Sequence, residues 1–292
     1  MEPQRLEALI NLLDDPDRTV FELVEQELLK EDDEIIPALE KKWEQSFDEN
    51  SQNRIENIIQ NLQFKRTYAG VKHWITLAPE KQDLCEGFCA IDKFQYPDLN
   101  PLNLSLKIEN LRKSIWLELN NSLTLLEKTT ILNHFIFNLN GYSINLSNPH
   151  SPQNCFLNQL LDTKRGNPIS MSIFYTIIAR AIELPAFLVD FPKNPLVAIV
   201  DAELAQKVHG STRDTEVLFY INPSNKGAIT SRKEIDYHLK RNDYKPFRDY
   251  AEPLPDVLFL RRLLESMLES YVAVGYTEKQ KKIEKLLALF EV

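Results

Sequence analysis

Apolar positions recur at helical spacing along most of the chain. Leu6, Leu9, Ile10, Leu12 and Leu13 form one face. Val20, Leu23, Val24 and Leu28 form a second, and Ile35, Ile36, Leu39 and Trp43 a third. The turn Asp14-Asp15-Pro16-Asp17 between the first two supplies N-cap residues and a proline suited to a helix start. Ile55, Ile58, Ile59 and Leu62 predict a helix over 51–68, and Trp74, Leu77, Leu84, Phe88 and Ile91 a helical stretch over 70–92. Phe94-Gln95-Tyr96-Pro97 breaks the pattern. Helices are then predicted over 101–120 and 124–138, a turn at Asn140-Gly141-Tyr142, a polar loop over 143–153 and a short helix over 156–161.

The densest apolar stretch runs from Arg165 to Pro192. It opens with Gly166-Asn167-Pro168, continues at helical spacing and leaves through Glu183-Leu184-Pro185. Beyond it the period changes. Residues 186–190, 196–201 and 217–222 are short β-branched runs bounded by prolines and asparagines, which predicts three strands of a small antiparallel sheet with a polar loop over 202–215. Ser231 with Glu234 has capping-box spacing and opens a helix over 231–241. A proline-containing linker, 245–255, leads to helices over 256–274 and 277–290, separated at Gly275-Tyr276. The class is α+β, mostly α. Three segments are expected: a helical region over 1–68, a mixed core over 69–245 and a helical hairpin over 246–292. Residues 12–29 resemble a single HEAT-type repeat; a plain helical hairpin fits the same pattern.

Composition narrows the classes. The chain has 292 residues, 43% of them hydrophobic, with only 7 glycines, which disfavours Gly-rich phosphate loops. Its net charge is −9, so electrostatics give no general pull toward nucleic acid or anionic membrane. The cationic clusters Lys279–Lys285 and Arg261-Arg262 read as solvated helix faces. No run approaches a membrane span. The N-terminal residues carry acids early and lack an apolar core, so no signal peptide is expected. Three cysteines without scaffold spacing suit a reducing compartment, and a cytoplasmic location is expected.

A thiolate at a helix N-terminus is stabilised by free backbone N–H groups and the helix dipole. A histidine on the next strand then serves as base, and an acid or amide on the strand after it orients the histidine. Residues 166–222 supply helix, strand and strand in that order. The stretches GNPISMSIFYTIIARAIELPAFLVDFP, NPLVAIVD and VLFYINPSNKGAITSRKEI, with FQYPDLN upstream, resemble the transglutaminase-like superfamily. More narrowly they resemble its bacterial SirB-type branch, in which such a core lies between helical N-terminal repeats and a tetratricopeptide-like C-terminus. The resemblance covers residues 85–292, most firmly 154–235.

It implies a papain-like core with a Cys-His-Asp triad, and each triad position departs from the family pattern. The family's Gly-x-Cys turn has Pro168 in place of the nucleophile. Its Phe-Pro-Gly-His pattern is Phe191-Pro192-Lys193-Asn194 here, which puts Asn194 in place of the base. Its Asp-Pro is Asn222-Pro223, which puts Asn222 in place of the acid. The residues themselves agree: Asn167 followed by Pro168 makes a stable helix start without a nucleophile. The expectation is therefore a pseudoenzyme that binds or scaffolds a protein or peptide partner. No cofactor, metal, nucleic acid or membrane is called for.

The alternative is a hydrolase or acyl transferase with a displaced nucleophile. Cys155 and Ser170 are its candidates, and His209, placed in the 202–215 loop, is the base that swings toward the groove. Asn167 completes the set of groove residues. Cys85 and Cys89 have i,i+4 spacing, half of a metal site, but no second pair follows them and two small core residues fit better. Asp14, Asp15 and Asp17 lack the remaining ligands of a calcium loop and read as a capping turn.

Overall fold

The computed structural model describes residues 2–15, 17–209, 215–242, 244 and 250–291. Two compact units emerge: Met1–His73 with Lys93–Pro97, and Trp74–Asp92 with Asp98–Val292.

The first unit is helical: α1 (Pro3–Asn11), α2 (Arg18–Leu28), α3 (Ile36–Gln45) and most of α4 (Glu49–Thr76). The predicted faces meet in its core, where Leu13, Leu28, Leu39, Ile55 and Ile58 are fully buried. Asp17 caps α2 by accepting the Thr19 N–H at 2.8 Å, and Asp15 Oδ1 accepts the Asp17 N–H at 2.8 Å. The acidic turn thus acts as a helix start. Its Pro16 lies outside the described residues. Where two helices were expected over 51–92, α4 runs unbroken to Thr76. The break falls at 77–83, around a turn at Pro79–Lys81. Nothing in the sequence interrupts the helix at 69, since Gly70 has open space around it.

The second unit contains α5 (Leu84–Asp92), α6 (Pro101–Trp116), α7 (Leu125–Asn133), strand β1 (Ser143–Ile144), α8 (Leu157–Thr163), strand β2 (Arg165–Gly166) and α9 (Pro168–Ala181). Asn100 caps α6 and Thr124 caps α7. The helix expected over 124–138 changes pitch at residue 134 into a π-helical turn, His134–Leu139. Next come strands β3 (Ala186–Val189) and β4 (Leu196–Val200), helix α10 (Ala202–His209), strands β5 (Val217–Asn222) and β6 (Ala228–Thr230), and helices α11 (Arg232–Arg241), α12 (Asp256–Val274) and α13 (Thr277–Leu287).

β3 to β6 form an antiparallel sheet in chain order, and β1 and β2 form a separate parallel pair. The three-strand expectation is thus extended by β6. The loop expected over 202–215 is corrected at its start, where residues 202–209 are helical around buried Ala205; residues 210–214 lie outside the described set. Of the linker expected over 245–255, residues 245–249 lie outside the described set; Leu254 N donates to Leu188 O at 3.0 Å alongside β3.

α9 is the axis of this unit. Every residue from Ile169 to Ala179 is buried, the pattern of a helix enclosed on all sides. β4 is buried from Leu196 to Ile199, so the sheet is covered on both faces. Leu196 and Ala198 join a cluster with Ile235 and Leu239 of α11. α12 packs on α9 through a buried stripe including Phe259, Leu263, Leu264 and Met267. Two bonds from the Arg180 guanidinium to the Asp256 carboxylate, at 2.5 and 3.0 Å, fix that contact. Gly275, at φ +79°, turns the chain from α12 into α13.

Candidate functional site

The N-terminus of α9 is over-determined. A Cβ at Gly166 would fall 2.6 Å from Ser170 Oγ, so only glycine lets β2 pass so close to the helix. Asn167 then caps α9 by accepting the Ser170 N–H at 2.8 Å, and its own backbone N–H donates to Ser170 Oγ at 3.0 Å. Pro168 is the first helical residue. Ser170 is thereby used up. It is wholly buried, and its single hydroxyl proton goes to Asn154 O at 2.7 Å or Asn167 O at 3.2 Å.

Cys155 ends the short helical turn Pro152–Cys155 and has no exposed surface. The Asn167 side-chain amide donates to its Sγ at 3.2 Å and to Ser266 Oγ on α12 at 3.0 Å. Burial pushes the thiol up to about 12, against hydrogen bonds from Ser270, Ser266 and Asn167 that act the other way. The thiolate, which is the nucleophilic form, is therefore scarce near neutral pH.

The proposed base is elsewhere. His209 is the last residue of α10, not part of a swinging loop, and its Nε2–H donates to Leu218 O at 3.1 Å. It lines neither cavity described below. Among the described residues, no imidazole lies within hydrogen-bond reach of Cys155 Sγ or Ser170 Oγ.

Asn194 and Asn222 are brought together. Lys193, at φ +67°, turns the chain between β3 and β4 and leaves Asn194 beside the sheet. Asn222 closes β5 and accepts the Asn225 N–H at 3.2 Å, capping the short turn that follows. Both border a cavity of about 540 Å³ together with Asn225 and Asn242. The opposite wall comes from α11, whose His238 lies 5.5 Å from the Phe191 ring. Pro168 lines a second cavity, about 330 Å³, with Arg262, Glu265 and Glu269. Lys193 borders both cavities. The arrangement offers amide and aromatic contacts, and Pro168, Asn194 and Asn222 carry no group that titrates near neutrality.

Two features lacked a sequence signal strong enough to be singled out. Asp92, fully buried, accepts the N–H groups of Leu157 and Asn158 at 2.9 and 2.8 Å and so caps α8 from a distant part of the chain. Burial pushes its carboxyl up to about 7, although both N–H donors pull the other way. Its only trace in the sequence is one acid at the end of an apolar run. Arg262 is paired with Asp190 beside the second cavity, a contact across 72 residues that no local pattern announces. Among the described residues, no cluster of three His, Cys, Asp or Glu could hold a metal ion. No described helix is long and apolar enough to cross a membrane.

Comparison with known proteins adds the family. A profile described as Transglutaminase-like superfamily matches residues 103–265. A UPF0162 protein of Xylella fastidiosa strain 9a5c is 27% identical over 203 residues, 67% of each chain. F-box only protein 21 of Mus musculus is 24% identical over 147 residues, half of this chain but 22% of the mouse protein. The human protein of that name is 25% identical over the same length. No solved structure matches.

Proposed function

The chain belongs to the transglutaminase-like superfamily, and from that premise we propose that it works without catalysis, by binding or scaffolding another protein. One observation carries this: the atoms a displaced mechanism would need are committed to holding α9 in place. Ser170 completes the α9 cap, and Cys155 is enclosed with its thiol pushed up to about 12. An amide does not titrate, so neither Asn194 nor Asn222 substitutes for a histidine or an aspartate as a proton carrier. The finer assignment, a SirB-type chain with a tetratricopeptide-like hairpin at α12 and α13, belongs to the same proposal. So do the cytoplasmic location, the absence of a cofactor, and a protein or peptide as partner. The matched stretch makes up 22% of mouse F-box only protein 21, which is consistent with a module carried inside larger proteins.

The test is a turnover assay on the full chain. Acyl donors, such as an activated ester and a peptide carboxamide, are offered with an amine acceptor, and the protein mass is followed. No acyl-protein adduct is expected, and the residual rate should be the same for wild type, Cys155→Ala and Ser170→Ala. An adduct on either residue, or a rate abolished by either substitution, would establish the displaced-nucleophile enzyme instead.

A further inference from the structure

The two edges of the four-stranded sheet are treated differently. On the β3 side the chain covers itself: Leu254 N donates to Leu188 O, and Val189 pairs with Pro253. On the β6 side, the main chain of Ala228, Ile229 and Thr230 is hydrogen-bonded to β5 alone among the described residues, while the Thr230 hydroxyl donates to Glu234 Oε2 at 3.0 Å. Ala228 and Ile229 are exposed. An uncovered edge is a row of main-chain donors and acceptors ready to pair with another extended chain.

This edge is built to be held still. Gly227, at φ +74°, sets the β5–β6 turn, and its carbonyl accepts from Asn133 Nδ2 at 2.8 Å. Asn133 Oδ1 in turn accepts from the buried Tyr175 hydroxyl at 2.7 Å. The turn is thereby tied to the central helix α9.

The same three residues of β6 border the 540 Å³ cavity. Its apolar wall includes Phe191, Leu196, Ile235 and Tyr244, enough for one large side chain. The segment that supplies its β6 and α11 walls carries charge opposite to that of the chain as a whole. Between Asn222 and Asn242 there are five cations (Lys226, Arg232, Lys233, Lys240, Arg241) and two acids (Glu234, Asp236), on a chain of net charge −9, and of these Arg232 is paired with Asp236 and with Glu252 beyond the segment. Glu234 is engaged in capping α11 with Ser231. Lys193, Lys226 and Lys233 have no acid within ion-pair distance among the described residues.

We propose that the β6 edge docks an extended, acidic segment of a partner polypeptide, which adds as a fifth strand and places an uncharged aromatic or aliphatic side chain in the cavity. This rests on the protein-binding reading above. Main-chain pairing supplies affinity, the cavity selects one side chain, and the lysines select acidic neighbours.

The test is panning of a random nonapeptide library on the full chain, followed by anisotropy titration of the enriched peptides. Acidic sequences with one central apolar residue should be enriched. N-methylation of alternate backbone nitrogens should abolish their binding, and Lys226→Glu with Lys233→Glu should weaken it by about tenfold at low salt. Enrichment of basic or featureless sequences, affinity indifferent to N-methylation, or no enrichment would overturn the proposal. Peptides that photo-crosslink to another helical face would overturn the β6 site and leave the protein-binding reading standing. Turnover in the assay above would overturn the non-catalytic reading itself, and with it the proposal that rests on it.

Discussion

Asp92 holds the first turn of α8 through two main-chain bonds while wholly shielded from water. Its carboxyl, pushed up to about 7 by burial, titrates near 4 in an unfolded chain. The folded state therefore binds this proton more tightly. Its contribution to stability is complete below about pH 4, falls as the pH rises to about 7, and is constant above. Relative to Asp92→Asn, which has no proton to lose, wild-type stability should decline by on the order of 4 kcal/mol between pH 4 and pH 7.5. Urea melts of both proteins across that range measure the difference, and a difference independent of pH would contradict it. Gly227 is constrained in another way: a Cβ would fall 2.2 Å from Asn133 Oδ1, and φ is +74°. Gly227→Ala should cost about 1–3 kcal/mol and loosen the Tyr175–Asn133 bond, seen as a lowered Tm with faster amide exchange in β6. Neither effect was legible in the sequence, because both depend on partners 65 and 94 residues away. The Asn167-Pro168 helix start was legible, because a cap and its proline are adjacent in the chain.

At the scale of elements, the long periodic stretches were readable. α9, α11 and α12 form where spacing and capping residues placed them, and β3, β4 and β5 follow their β-branched runs. Apart from the break expected near residue 69, which falls instead after α4 at 77–83, the misses are short elements. β6 has three residues, two of them exposed, so no alternation marks it. α10 is eight residues with one buried position, too little to stand out from a polar loop. The ion pair joining α9 to α12 links residues 76 apart and was likewise invisible. Arg180 and Asp256 are both partly shielded, and Arg180 also donates from Nε to Ala186 O at 2.9 Å. Arg180→Ala and Asp256→Ala should each lower stability by about 1–3 kcal/mol. The double variant should lose less than the two added together, and additive losses in denaturant melts would show that the pair does not couple the helices.

At the scale of the whole molecule, the triad positions could be followed through the resemblance, whereas the cavity could not. Its walls come from the ends of β3 and β5, from β6 and from α11, and only the packing of α11 on the sheet brings His238 opposite Asn194 and Asn222. The central claim is that this core keeps its shape without a reactive group, and Cys155 is where that claim is most exposed. The decisive measurement is the alkylation rate of each cysteine in the native full chain, followed by peptide mapping between pH 7 and pH 9.5. Half-buried Cys85 should react first, and Cys155 only after denaturant is added. Rapid, saturable modification of Cys155 at pH 7 in the folded protein would contradict the account.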